Sequence, residues 1–199
     1  MNILFWSGGK DAFLALHFYK QQHPRHKLAL LTTYEEKTGL VPHQQLPISH
    51  IRTQAAALDL DLHLVPLPRK CSNEFYLREV NGKLDEQTEP VEHLIFGDRH
   101  LSDIRQWREA SWKKRGYRTL FPIWEKNIHE LLPVLQLQPI RITISAVEEK
   151  YQSLIRIGET YDQAFVTQLQ HLPEQIDLMG EHGEFHTKVS FADLSEQLV

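Results

Sequence analysis

The chain has 199 residues, 41% hydrophobic and 24% charged, with 22 basic against 26 acidic side chains and a formal net charge of −4. That balance suits one large folded domain or two small ones and argues against a disordered chain. It provides no overall basic field to hold a nucleic-acid backbone. A single cysteine, Cys71, excludes an intrachain disulfide and a Cys₄ zinc site and fits a reducing compartment.

Residues 3–6 are wholly apolar and stop at Ser7-Gly8-Gly9, the pattern of a buried strand ending in a tight turn. Residues 11–19 predict a helix packed on a sheet, and 27–33 a second buried strand. The polar segment 34–46, with Gly39 and Pro42, reads as a loop. A helix is predicted over 47–58, with Pro47 at its first position. A third strand covers 62–67. A helix follows over 73–89, interrupted near Asn81-Gly82, and then a fourth strand over 91–96. This alternation predicts a parallel sheet covered on both faces, with right-handed crossovers. A helix over 101–115 continues the rhythm. Beyond the Phe121-Pro122-Ile123-Trp124 segment it is lost: a short helix at 127–135 and a strand at 140–146 lead into a looser stretch. Residues 191–199 are a candidate terminal helix. No window approaches the ~20 apolar residues of a membrane helix, and the N-terminus lacks the pattern of a signal peptide. A cytoplasmic protein is the expectation.

Three stations carry the chemistry. Ser7-Gly8-Gly9-Lys10-Asp11 lies between the first strand and the first helix. Its glycines let backbone N–H groups approach an anion, and the helix N-terminus favours negative charge. Ser7 adds a hydroxyl, Lys10 a point charge, and Asp11 a helix cap or a magnesium ligand. A simple capping turn would use similar residues, and the Walker spacing is absent. Gly97-Asp98 closes the fourth strand. If the sheet order reverses beside strand one, these two residues face the first turn across a ligand crevice. Asp103, Arg105, Arg108 and Glu109 lie nearby on a helix face that ion pairing alone would also explain. The third station is Gly180-Glu181-His182-Gly183-Glu184-Phe185-His186-Thr187, dense in carboxylates and imidazoles. The spacing of His182 and His186 suits paired zinc ligands, but Gly183 between them disfavours the helix such a pair needs.

SGGKD after an N-terminal strand resembles the pyrophosphate loop of the ATP pyrophosphatases, the adenine-nucleotide alpha-hydrolase type, although Ala12 stands where many members carry serine. Together with GDRHLSDIRQWRE, GYRTLFPIW and GEHGEFHT, and with His43 and the segment around Cys71, the chain resembles the bacterial-type branch of the diphthine–ammonia ligase family. His182 and His186 depart from the diphthamide-forming branch, so reaction type carries over better than substrate. The resemblance implies a Rossmann-like, doubly wound parallel α/β sheet over residues 1–121 and a smaller α+β substrate domain over 122–199. It implies an ATP- and Mg²⁺-using ligase that adenylates a carboxylate, releases pyrophosphate, and couples the product to ammonia with release of AMP. Ser7, Gly8, Gly9, Lys10, Asp11, Thr32 and Gly97 are then the nucleotide contacts, Asp11 and Asp98 the metal ligands, and Glu181, Glu184, His186 and Asp98 the catalytic groups. The expected partners are a small-molecule or protein carboxylate acceptor and ammonia, with a homodimer allowed. Two other functions compete: ATP-dependent tRNA base modification, whose sulfur-transferring forms generally use a cysteine pair, and nucleotide binding without turnover. Cys71 itself reads better as a packed side chain than as a nucleophile.

Overall fold

The computed structural model describes residues 1–172 and 174–191. The first half is built from β1 (Asn2–Phe5), α1 (Lys10–Gln22), β2 (Leu28–Glu35), β3 (Leu40–Val41), β4 (Leu46–Pro47), α2 (Ile48–Ala57), β5 (Leu62–Leu67), α3 (Asn73–Asp85) and β6 (His93–Ile95). The second half adds α4 (Ser102–Lys113), β7 (Arg118–Leu120), α5 (Ile128–Gln136), β8 (Ile140–Val147), α6 (Gln163–Gln170) and β9 (Phe185–Phe191). The parallel strands run in the order β5-β2-β1-β6-β7, and the short β3–β4 hairpin extends the end of β2. The order reverses between β1 and β6, so the predicted doubly wound α/β sheet and its switch point are present.

Side-chain alternation along the strands divides the interior in two. Ile3, Leu31 and Leu94 face one side and pack with Val80 and Leu84 of α3 and Trp112 of α4. Leu4, Leu30 and Ile95 face the other, where Leu14 and Leu16 of α1 and Ile51 and Ala55 of α2 cover the sheet. On this second side the apolar cluster continues into Leu131 and Leu135 of α5, Ile142 of β8, Phe165 of α6 and Val189 of β9. The strands β8 and β9 form an antiparallel pair whose register shifts between Ile144 and Ala146.

Several elements depart from the sequence expectations. Residues 34–46 contain the β3–β4 hairpin, whose two-residue strands are too short to show alternation and whose turn holds His43 and Gln45 at φ 66° and 53°. Pro47 caps α2 rather than opening it. Helix α3 runs through Gly82, where a side chain would meet open space, and ends at Asp85. Strand β7, helix α6 and strand β9 lie where the sequence suggested no regular element. Of the candidate terminal helix, residues 192–199 lie outside the described residues. Among the described residues no helix is long and apolar enough to cross a membrane.

Candidate active site

The chain leaves β1 at Phe5, and Trp6 still donates its N–H to the Leu31 carbonyl at 2.8 Å before the turn begins. Gly8 has φ 82°, and a Cβ there would lie 2.6 Å from Ile51 Cδ1 and 2.9 Å from Gln54 Oε1. Both the left-handed backbone and the pressure of α2 therefore demand glycine. Helix α1 follows at once, and the N–H groups of Gly8, Asp11 and Ala12 have no partner among the described residues. Unpaired N–H groups at a helix start, with the helix dipole behind them, suit an anion.

The end of β6 comes against this turn. A Cβ at Gly97 would stand 2.8 Å from the carbonyl carbon and oxygen of Asp11. Beyond it Asp98 accepts two hydrogen bonds from Arg108, at 2.6 and 3.3 Å, and the guanidinium lies 4.2 Å from the centre of the Phe96 ring. Arg99 turns inward: it is 6% exposed and donates to both carboxylate oxygens of Asp177 at 3.0 Å and to the Lys126 carbonyl. Burial alone would raise the Asp177 carboxyl, but the Glu181 N–H and the Arg99 charge outweigh it and hold the group below its ordinary value.

The third station folds over the same opening. Glu181 accepts from the N–H groups of Arg99 at 3.1 Å and His100 at 3.3 Å, which ties the 180–186 turn to the β6–α4 loop. Glu184 is buried and accepts from the N–H groups of Asp177 and His182, at 3.1 and 3.0 Å. Its carboxylate closes its own turn. His186 faces His43 of the β3–β4 hairpin with ring centres 5.5 Å apart. Burial first, then the nearby His43 and Lys10, push the His186 imidazole down to about 4 against a smaller opposing pull from Asp11.

A cavity of about 1240 Å³ joins the three stations. Of the expected nucleotide contacts, Ser7, Asp11 and Gly97 line it; of the expected catalytic groups, Asp98, Glu181 and His186 do. His43, His182 and Cys71 also line it. Gly8 and Gly9 shape the turn behind the wall. Thr32 is buried and donates to the Trp6 carbonyl at 2.6 Å, while its neighbour Thr33 reaches the cavity. Lys10 is 1% exposed: its ammonium donates to both oxygens of Asp11, at 3.0 and 2.9 Å, and to the Met179 carbonyl. It lies 5.5 and 5.7 Å from the ring centres of Tyr161 and Phe185. The lysine of the motif thus anchors the C-terminal segment rather than pointing into the opening.

Sequence reading assigned no role to four supporting residues, Gln54, Arg99, Thr187 and Val189. Gln54, fully buried on α2, accepts from Trp6 Nε1 at 2.8 Å and donates to the carbonyls of Gly8 at 2.9 Å and Val189 at 2.6 Å. Thr187 accepts the Lys10 N–H at 3.0 Å, and Val189 donates its own N–H to the Gly8 carbonyl. Arg99 completes the set. A glutamine within the otherwise small, apolar stretch QAAAL was the one legible signal; the others depend on contacts between distant parts of the chain.

Asp11 and Asp98 both face the cavity, with Lys10 and Arg108 as their respective partners. Among the described residues no three His, Cys, Asp or Glu side chains gather to hold a metal ion by themselves. One or two carboxylates are what a magnesium ion shared with phosphates requires, so the pair fits such an ion.

A doubly wound sheet with a glycine turn at its switch point defines a Rossmann-like protein of the PP-loop type. The family model of the diphthamide synthase N-terminal domain matches residues 1–119, more than half of the sequence, and the chain belongs to that family. The PP-loop superfamily around it consists of ATP-binding proteins that usually carry Mg²⁺. No curated protein matches the chain. Among solved structures it is similar to a predicted subunit of a tRNA methyltransferase from Methanocaldococcus jannaschii, with 14% identity over 97% of this chain and 98% of that one and a TM-score of 0.49.

Proposed function

We propose that the protein is an ATP-dependent amide-forming ligase that adenylates a carboxylate and couples it to ammonia. The observation that carries the reading is that the glycine turn and the 180–186 turn border one cavity, so that a nucleotide and a second substrate can meet there. The polyphosphate lies along the N–H groups of the Ser7–Asp11 turn, and Asp11 and Asp98 would hold magnesium, which would neutralise phosphate charge. A carboxylate oxygen of the acceptor attacks the α-phosphorus, and the bond to the bridging oxygen breaks to release pyrophosphate. The preorganised N–H groups stabilise the charge gathering on that leaving group. Ammonia then attacks the acyl carbon, AMP departs, and the amine loses a proton to a carboxylate. Glu181, in the cavity wall, is the carboxylate assigned to the ammonia. Glu184 serves by holding the turn closed, and His186, neutral at pH 7, contributes a hydrogen bond rather than a charge.

Phosphorus NMR tests this with ATP, magnesium, ammonium and a pool of metabolite carboxylic acids. Repeated turnover to AMP and pyrophosphate that depends on ammonium is the expected result. ADP and orthophosphate as main products, or turnover indifferent to ammonium, would overturn the reading.

A further inference from the structure

We propose that His43 and His186 form a two-imidazole subsite for the phosphate end of the nucleotide, on the wall of the cavity that the glycine turn also borders. The inference rests on the nucleotide reading above and adds a binding role to the hairpin that carries His43.

The charges of the site leave a need that this pair meets. The three cations in contact with the glycine turn and the β6–α4 loop are already paired, Lys10 with Asp11, Arg99 with Asp177 and Arg108 with Asp98, while Arg69 and Lys70 line the cavity from the segment after β5. Lys10 and Arg99 are also buried. A polyphosphate along the backbone N–H groups of the turn presents further oxygens that uncharged, directional donors on β9 and the β3–β4 hairpin can meet.

Strand β9 supplies one. Thr187 touches the turn twice, through its hydroxyl on the Lys10 N–H at 3.0 Å and through its carbonyl, 3.0 Å from the Cβ position of Gly9. Thr187 and Phe185 are buried, whereas His186 between them is only partly covered and lines the cavity, as alternation along a strand requires. The hairpin supplies the other. His43 is exposed at its tip, with φ 66°, and its ring comes within 5.5 Å of His186 although 143 positions separate them in the chain. Each imidazole carries an N–H, and phosphoryl oxygens only accept. The groups facing the pair are Lys10 and Asp11 from the start of α1, and Glu181 and His182 line the same cavity from the preceding turn. Held near 4, His186 is neutral at pH 7, so its contribution is one directed hydrogen bond.

Calorimetry in magnesium buffer at pH 7.5, with ATP and AMP as the two probes, tests the assignment. His43→Gly is the first variant, because glycine adopts the left-handed backbone there without strain; His186→Ala is the second, and circular dichroism confirms that both are folded. Each substitution is expected to weaken ATP binding at least fivefold while AMP affinity stays within twofold. Unchanged ATP affinity in folded His43→Gly, or an equal loss for AMP, would overturn the subsite and leave the nucleotide reading standing. Wild-type protein that binds neither probe would overturn both.

Discussion

Lys10 illustrates how the role of a residue depends on what surrounds it. In the sequence it is a cation beside a phosphate-type turn; in the fold its ammonium is enclosed by Asp11, the Met179 carbonyl and two aromatic rings. A buried cation needs such partners, because desolvation is costly without them. His186 shows the opposite response to burial and gives up its charge. Its pKa in the folded protein, about 4, is well below the ordinary 6.5. Below pH 6.5 the unfolded chain therefore takes up a proton that the folded chain refuses. The stability contributed by the neutral ring is complete above pH 6.5 and is lost progressively as pH falls toward 4. Urea unfolding of wild type and His186→Asn at pH 7.5, 6 and 5 should show a steeper decline for the wild type. Parallel declines would mean that the ring titrates normally.

At the scale of elements, the legible parts were those whose neighbours lie close in sequence. The apolar runs at 3–6, 27–33 and 62–67 announce buried parallel strands, and each lies within two residues of β1, β2 or β5. Strand β7 was missed because Arg118–Leu120 is three residues long and lies on the sheet edge, where little apolar pattern is required. The three stations were legible as motifs, and the cavity joins them. The division of labour within them was not, since Glu181 and Lys10 find partners on loops tens of residues away, and Glu184 spends its carboxylate on its own turn. Gly97 lies where this joining is tightest. The end of β6 crosses the first turn of α1 with no room for a methyl group, and the obstacle is the backbone of Asp11, not a side chain that can swing aside. Gly97→Ala must push β6 and α1 apart at the cavity floor. Overpacking of this kind costs about 1–3 kcal/mol. The melting temperature should fall, and ATP affinity should fall with it because the spacing of the turn changes. A variant with wild-type stability and affinity would show that the two elements separate freely.

Across the whole molecule, one sheet separates two interiors of different make-up. The α3–α4 side is closed by residues of the first 121 positions. The α1–α2 side is not: its cluster runs on through α5, β8, α6 and β9, so Leu14 and Ile51 share an interior with Ile142, Phe165 and Val189. Polar links follow the same route. Gln54 holds Gly8 and Val189 together, Thr187 accepts the Lys10 N–H, and Met179 accepts the Lys10 ammonium. A chain cut after residue 126 keeps the whole parallel sheet and all the residues of the family match. It would nonetheless expose one flank of α1 and α2 and leave a lysine ammonium, the Gly8 carbonyl and Gln54 short of partners. The larger loss is apolar: each large side chain of α1 and α2 returned to water forfeits about 1.5–3 kcal/mol, against a total stability of about 5–15 kcal/mol for an ordinary domain. The fragment 1–126 is therefore expected to keep far-ultraviolet dichroism, lose cooperative melting, bind a hydrophobic dye and fail to bind ATP. A fragment that melts cooperatively and binds ATP like the full chain would show that the glycine turn stands without β9. In that case the C-terminal segment would serve the second substrate alone, and the stability now assigned to its contacts with the turn would have to come from the sheet.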